Sequence, residues 1–92
     1  MYVLRIQYTV ADYAAWKTVF DGDPLGRARS HALRYRILRP ADDASQVMVD
    51  LDFESKKDAE AFHAALRELW AREPDLRNAQ ARIVEAVEAN DL

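Results

Sequence analysis

Tyr8, Trp16, Tyr35, His63 and Trp70 each join an apolar ring to a polar tip, and such side chains need a partner for the tip once the ring is buried. Brought to one place, they would make an aromatic-walled pocket with a few convergent polar groups, the usual composition of a small-molecule site. His63 is the candidate catalytic residue of the set, because an imidazole titrates near neutral pH and can take a proton from a bound molecule. The same five residues also read as core and boundary side chains, with His63 at the edge of a helical stripe; His31 reads as a strand-end residue. Asp50 and Asp52 lie two apart and so share one strand face. A metal site needs more ligands than these two, and Arg5, Arg34 and Arg36 are available to neutralise them, so no metal is expected. The absence of Cys removes disulfides and thiolate chemistry. No G-x-G-x-x-G, P-loop or G-x-S-x-G occurs, which leaves nucleotide binding and serine hydrolysis without support.

The elements that must position these residues are legible as periodicities. Residues 46–53 alternate strictly, with Val47, Val49, Leu51 and Phe53 on one side and Gln46, Met48, Asp50 and Asp52 on the other. That is a strand with one face in a core, and its mid-chain place suggests a central position. Residues 2–10 alternate in the same way and predict the first strand. Asp12 stands at an N-cap position, and Tyr13, Trp16, Val19 and Phe20 follow at helical spacing, predicting a helix to about Asp21 that Gly22 ends. Asp23-Pro24 can open a short helical turn over Leu25 to Ser30. A second strand is predicted over His31–Arg39, closed by Pro40, and a polar connector then leads into the central strand. Ser55 and Asp58 resemble a capping box. The second helix should run from about Lys56 to Arg72, with Ala59, Phe62, Leu66, Leu69 and Trp70 as its apolar stripe and Pro74 as its stop. Asn78–Glu88 would suit a helix by composition, but a strand there completes the architecture.

The resulting order is βαββαβ, and the expected fold is α+β and ferredoxin-like: a four-stranded antiparallel sheet with both helices on one face. The chain of 92 residues is expected to form one domain, residues 1–92. Half its residues are hydrophobic and 32% are charged, the balance of a globular protein rather than a disordered one. The strand pattern begins at Tyr2, no leader pattern precedes it, and no apolar run reaches the length of a membrane span; a cytoplasmic protein without membrane association is expected. The net charge of −3 argues against general nucleic-acid binding. The charges are uneven: Arg27, Arg29, Arg34, Arg36 and Arg39 fall close together, whereas Glu85, Glu88 and Asp91 make the C-terminal stretch acidic.

Leu4, Ile6, Tyr8, Leu33, Tyr35, Ile37 and the inward residues of the central strand are expected beneath the helices. The opposite face would carry Val3, Arg5, Gln7, Arg34, Arg36, Leu38, Met48, Asp50 and Asp52, with Arg82 and Val84. RNA-recognition modules share this strand order but stack bases on aromatics of the open face; here that face has none. Its mixture of apolar and oppositely charged groups suits a second copy of the chain, with Arg5, Arg34, Arg36, Met48, Asp50 and Asp52 as the expected dimer interface.

The run Val10-Ala11-Asp12-Tyr13-Ala14-Ala15-Trp16-Lys17-Thr18-Val19-Phe20-Asp21 resembles the first helix of the dimeric α+β barrel proteins related to antibiotic-biosynthesis monooxygenases. Phe53-Glu54-Ser55 and Asp58-Ala59-Glu60-Ala61-Phe62 are similar too, and the resemblance covers about residues 2–72. It implies a homodimer in which two sheets face each other, with a cleft between helices and sheet in each subunit. Members of that superfamily include cofactor-independent oxygenases, haem-degrading enzymes and lactone isomerases. The chain departs from them at Ser30-His31-Ala32, where Gly is usual, and in a first strand that has Gln7 and no Asn, so no catalytic residue is carried over. Two functions remain open: a cofactor-independent, monooxygenase-like enzyme acting on a small aromatic or apolar molecule, and a non-catalytic small-molecule-binding or structural dimer. Neither requires a cofactor.

Overall fold

A computed structural model describes residues 1–73, 76 and 78–92 of the chain. Its elements are β1 (Tyr2–Thr9), α1 (Tyr13–Asp21), β2 (Arg34–Leu38), β3 (Gln46–Phe53), α2 (Lys56–Arg72) and β4 (Gln80–Glu85). The strands form one antiparallel sheet in the order β2-β3-β1-β4. β3 lies inside the sheet, as its mid-chain place suggests. β1 pairs with β3 and β4, setting Leu4 opposite Leu51 and Ile6 opposite Val49.

Each helix starts where a side chain can satisfy its free N–H groups. Asp12 Oδ1 accepts from Ala14 N at 2.9 Å and Ala15 N at 3.4 Å. Ser55 Oγ accepts from Asp58 N at 3.0 Å, one half of the capping box. Asp58 places its negative charge in the first turn of α2, where the helix dipole favours it. The expected stop at Pro74 lies outside the described residues.

The core is a single layer between helices and sheet. Leu4, Val47, Val49, Phe53 and Ala59 are wholly buried, with Leu51, Phe62, Leu66, Trp16 and Trp70 around them. Phe53 and Phe62 meet at 5.8 Å between ring centroids. Burying each large side chain contributes about 1.5–3 kcal/mol.

Three expectations are corrected. The second strand is shorter than His31–Arg39: His31 has φ 72, in the left-handed region, which breaks the extended chain before Arg34. Leu33 and Tyr35 are 54% and 47% exposed rather than covered, because β2 is an edge strand and α2 packs over β1, β3 and β4. The stretch from Leu25 to Ser30 folds as consecutive turns, not a helix; Gly26 has φ 64, and a Cβ there would stand 2.6 Å from Arg29 Nη2. The last strand spans Gln80–Glu85 within the expected 78–88, with Val87 beyond it 85% exposed.

Candidate functional site

The helices do not close fully onto the sheet. A cleft of about 710 Å³ lies between α1, the turns after it, the inner sheet face and the C-terminal half of α2. The sheet supplies Ile6, Tyr8, Val49 and Leu51; α1 supplies Ala15, Trp16, Val19 and Phe20; α2 supplies Phe62, Leu66, Leu69 and Trp70. The helical repeat explains the placement, since Trp16, Val19 and Phe20 recur at three- and four-residue spacing and share a helix face. The rings form a connected wall: Tyr8 to Trp16 at 5.5 Å, Trp16 to Phe20 at 5.2 Å, and Tyr8 edge-on to Trp70 at 6.0 Å.

Polar groups in the cleft are few and mostly committed. Asp12 caps α1. Asp23 accepts from Arg27 N at 2.9 Å and lies 3.6 Å from the Arg27 guanidinium. That guanidinium donates to Phe20 O at 3.0 Å and stacks on the Phe20 ring at 3.8 Å, with Tyr35 beyond it at 5.1 Å. Burial pushes the Tyr8 phenol up to about 12, with the Trp70 N–H and the Arg27 charge drawing it back, so Tyr8 is a neutral hydroxyl at physiological pH. Trp70 Nε1 does not reach good hydrogen-bond geometry, and among the described residues it is the buried side-chain polar atom without a partner.

Of the five residues expected at a ligand site, Tyr8, Trp16 and Trp70 line the cleft. Tyr35 does not: it stands half-exposed on the edge strand, behind Phe20. His63 does not line it either. It is half-buried on α2, and burial together with the nearby Arg67 charge lowers its pKa. Its neighbour in sequence, Phe62, takes the inward position instead. The candidate general base is therefore separated from the space where a substrate would sit. Arg27 was not legible as a cleft residue, because it precedes any regular element; the one signal was its four-residue spacing from Asp23.

The open sheet face is a second surface with defined geometry. The register sets Arg5 opposite Asp50 on β3 and Arg82 on β4, and Arg36 opposite Asp50 from the other side. Asp50 is 4% exposed. Arg5 grips it with two bonds, Nε to Oδ1 at 3.1 Å and Nη2 to Oδ2 at 2.9 Å, and Arg36 Nη2 adds a third at 3.3 Å. The Arg5 bond is the main cause holding the Asp50 carboxyl below its ordinary pKa, against the opposing effect of burial. Arg34 pairs with Asp52 at 3.0 Å. The carboxylates are thus neutralised within the sheet, as expected, and with Arg82 added the face carries an excess of positive charge on a chain whose net charge is −3.

Several solved structures match this chain, and three of them align over nearly its whole length. A dimeric ferredoxin-like protein from an uncultured marine organism has a TM-score of 0.65 at 12% identity, covering 96% of this chain and 97% of that one. The fold is ferredoxin-like. The same ferredoxin-like arrangement recurs in an Agrobacterium tumefaciens protein (TM-score 0.60, 16% identity, 92% of each chain). It recurs again in an uncharacterized NIPSNAP domain protein from Burkholderia xenovorans (TM-score 0.59, 18% identity, 99% of this chain and 100% of that one). No protein-family model matches the chain, and no curated protein matches it. Among the described residues, no helix is long and apolar enough to cross a membrane.

Proposed function

We propose that the chain is a homodimeric small-molecule-binding protein whose cleft takes a largely apolar or aromatic compound. The observation that carries this reading is the cleft itself, because a volume of about 710 Å³ falls in the range of small-molecule sites, roughly 300–1,000 Å³. Binding is favoured over a monooxygenase-like reaction. A substrate that must lose a proton would need a base beside it; His63 stands outside the cleft, Asp12 is occupied in capping, Asp23 is occupied by Arg27, and Glu73 stands exposed at the end of α2. A thermal-shift panel of small aromatic hydrocarbons, phenols, polyketide-like compounds and haem tests the reading. Stabilisation by apolar aromatics is expected, and uniform silence would remove the ligand.

The dimer rests on the open face. Val3, Leu38, Met48 and Val84 are half-buried there around arginines already paired to Asp50 and Asp52, so a second copy could cover the face without meeting a bare carboxylate. The marine structural neighbour is described as dimeric. Arg34→Ala combined with Arg36→Ala is expected to weaken self-association at least tenfold in sedimentation. An unchanged dimer would place the interface elsewhere.

A further inference from the structure

We propose that the cleft receives its ligand through one neutral carbonyl-type oxygen, which accepts a hydrogen bond from the Tyr8 hydroxyl while the Tyr8 oxygen takes the Trp70 N–H. This deepens the ligand-binding reading and rests on it.

The argument begins with what the cleft lacks. A charged ligand must exchange water for a counter-charge, and an unpaired ion in an apolar space is strongly disfavoured. The Arg27 guanidinium is shared among Asp23, Phe20 O and the Phe20 ring. Asp12 is bonded to two backbone N–H groups of α1. Glu73 is exposed at the end of α2. An anion would face these carboxylates with one already-shared guanidinium to meet it. A cation would give up its water for carboxylates already bonded to the α1 N–H groups and to Arg27, or, at Glu73, exposed to solvent, and the Phe20 ring is already occupied by Arg27. Neutral ligands pay neither cost.

What the cleft offers is a pair of donors. Trp70 Nε1 can only donate, and it is buried without a partner. Its ring stands edge-on to Tyr8 at 6.0 Å, and the indole N–H acts on the Tyr8 oxygen without closing a hydrogen bond to it. A ligand atom that draws the Tyr8 oxygen onto the Trp70 N–H and displaces water from the cleft must accept the Tyr8 hydrogen itself, since no acceptor for it stands among the described residues. Burial keeps that hydrogen in place, since the phenol is far from ionising at neutral pH. A chain running from indole N–H to phenol to carbonyl would satisfy both groups, and each link polarises the next. The surrounding Ile6, Leu51, Leu66 and Trp16 would accept only the hydrocarbon part of the molecule.

The test uses three probes of similar size on the intact chain: 1-tetralone, tetralin, which lacks only the carbonyl, and 1-naphthoate, which is anionic. Titration calorimetry is expected to show tetralone binding about tenfold tighter than tetralin, the scale of one hydrogen bond to an otherwise unsatisfied group, with naphthoate weakest. Tyr8→Phe keeps the ring and should bring tetralone down to the affinity of tetralin. The carbonyl stretch of bound tetralone should move to lower frequency in the wild-type protein. That measurement needs no variant, so a Tyr8→Phe chain that failed to fold would not shelter the proposal. Equal binding of tetralone and tetralin, a preference that survives Tyr8→Phe, an unshifted carbonyl band, or tightest binding by naphthoate would each overturn the carbonyl inference while leaving the cleft a ligand site. Failure of all three probes to bind would overturn the cleft reading and this inference together.

Discussion

Phe53→Ala is expected to cost about 3–5 kcal/mol, the usual range for deleting a buried aromatic ring. Phe53 is wholly buried at the end of β3 and meets Phe62 of α2, so its ring joins sheet to helix. The hole left behind cannot refill easily. Tyr2 and Asp52 flank the position, one held in register opposite Phe53 and the other tied to Arg34, and the α2 backbone is fixed by the Ser55 cap only two residues later. A domain of this size has a total stability of about 5–14 kcal/mol, so the variant would lose a large share of it. Its thermal midpoint should fall on the order of 20 °C. Urea denaturation should show a lower midpoint with an unchanged slope. Phe53→Leu should lose much less, and Val87→Ala, at an 85% exposed position, less than about 0.5 kcal/mol. A loss below about 1 kcal/mol for Phe53→Ala would mean that the core is not organised around β3.

The ease of reading β3 and the difficulty of reading the cleft have a common cause. A strand buried on one face writes its environment into alternate residues, and an amphipathic helix writes its own at three- and four-residue intervals. β1, β3, α1 and α2 follow those rules closely. Edge strands are less constrained. The inward positions of β2 and the residues just before it carry Tyr35 and Leu33, apolar by sequence yet largely exposed, because alternation records which way a side chain points and not whether anything covers it. A left-handed His31 in an otherwise extended pattern leaves no periodic trace. The cleft suffers from this most. Tyr8, Trp16 and Trp70 belong to regular elements and could be grouped from spacing alone. Arg27 and Leu25 come from irregular turns, and their place beside the aromatics is fixed by Gly26 and by Asp23 bonding to Arg27 N. His63, read at the edge of the α2 stripe, shows how fine the margin is. On a helix, one position is a rotation of about 100°, enough to move a side chain from the buried stripe, where Phe62 lies, to its flank.

Asp50→Asn is the second large expectation, and its pH dependence separates it from a simple packing defect. Asp50 is nearly buried and holds Arg5 and Arg36 by three hydrogen bonds. The substitution preserves shape but removes the charge that keeps the two guanidiniums together, with Arg82 close behind Arg5 in the sheet register. Both paired arginine side chains are more than half exposed, 56% and 65%. They can rehydrate, so the full penalty for breaking a buried ion pair does not apply, and a loss of about 1–2 kcal/mol at pH 7 is expected. The sign with pH follows from linkage. The folded state lowers the Asp50 pKa, so the carboxylate contributes stability above its unfolded value, near 3.8, and loses that contribution as pH falls from there through the folded value. The wild-type chain and the Asp50→Asn variant should therefore differ most near neutral pH and converge as pH falls from the unfolded carboxylate range through the lower folded value. Asp43, whose pKa Ser45 also lowers, is common to both chains and cancels in the difference. Urea midpoints measured from about pH 7 to about pH 2 read this directly. Parallel curves over that whole range would show that the Asp50 charge adds nothing to the fold, and the open face would then owe its order to its half-buried apolar side chains and the Arg34–Asp52 pair.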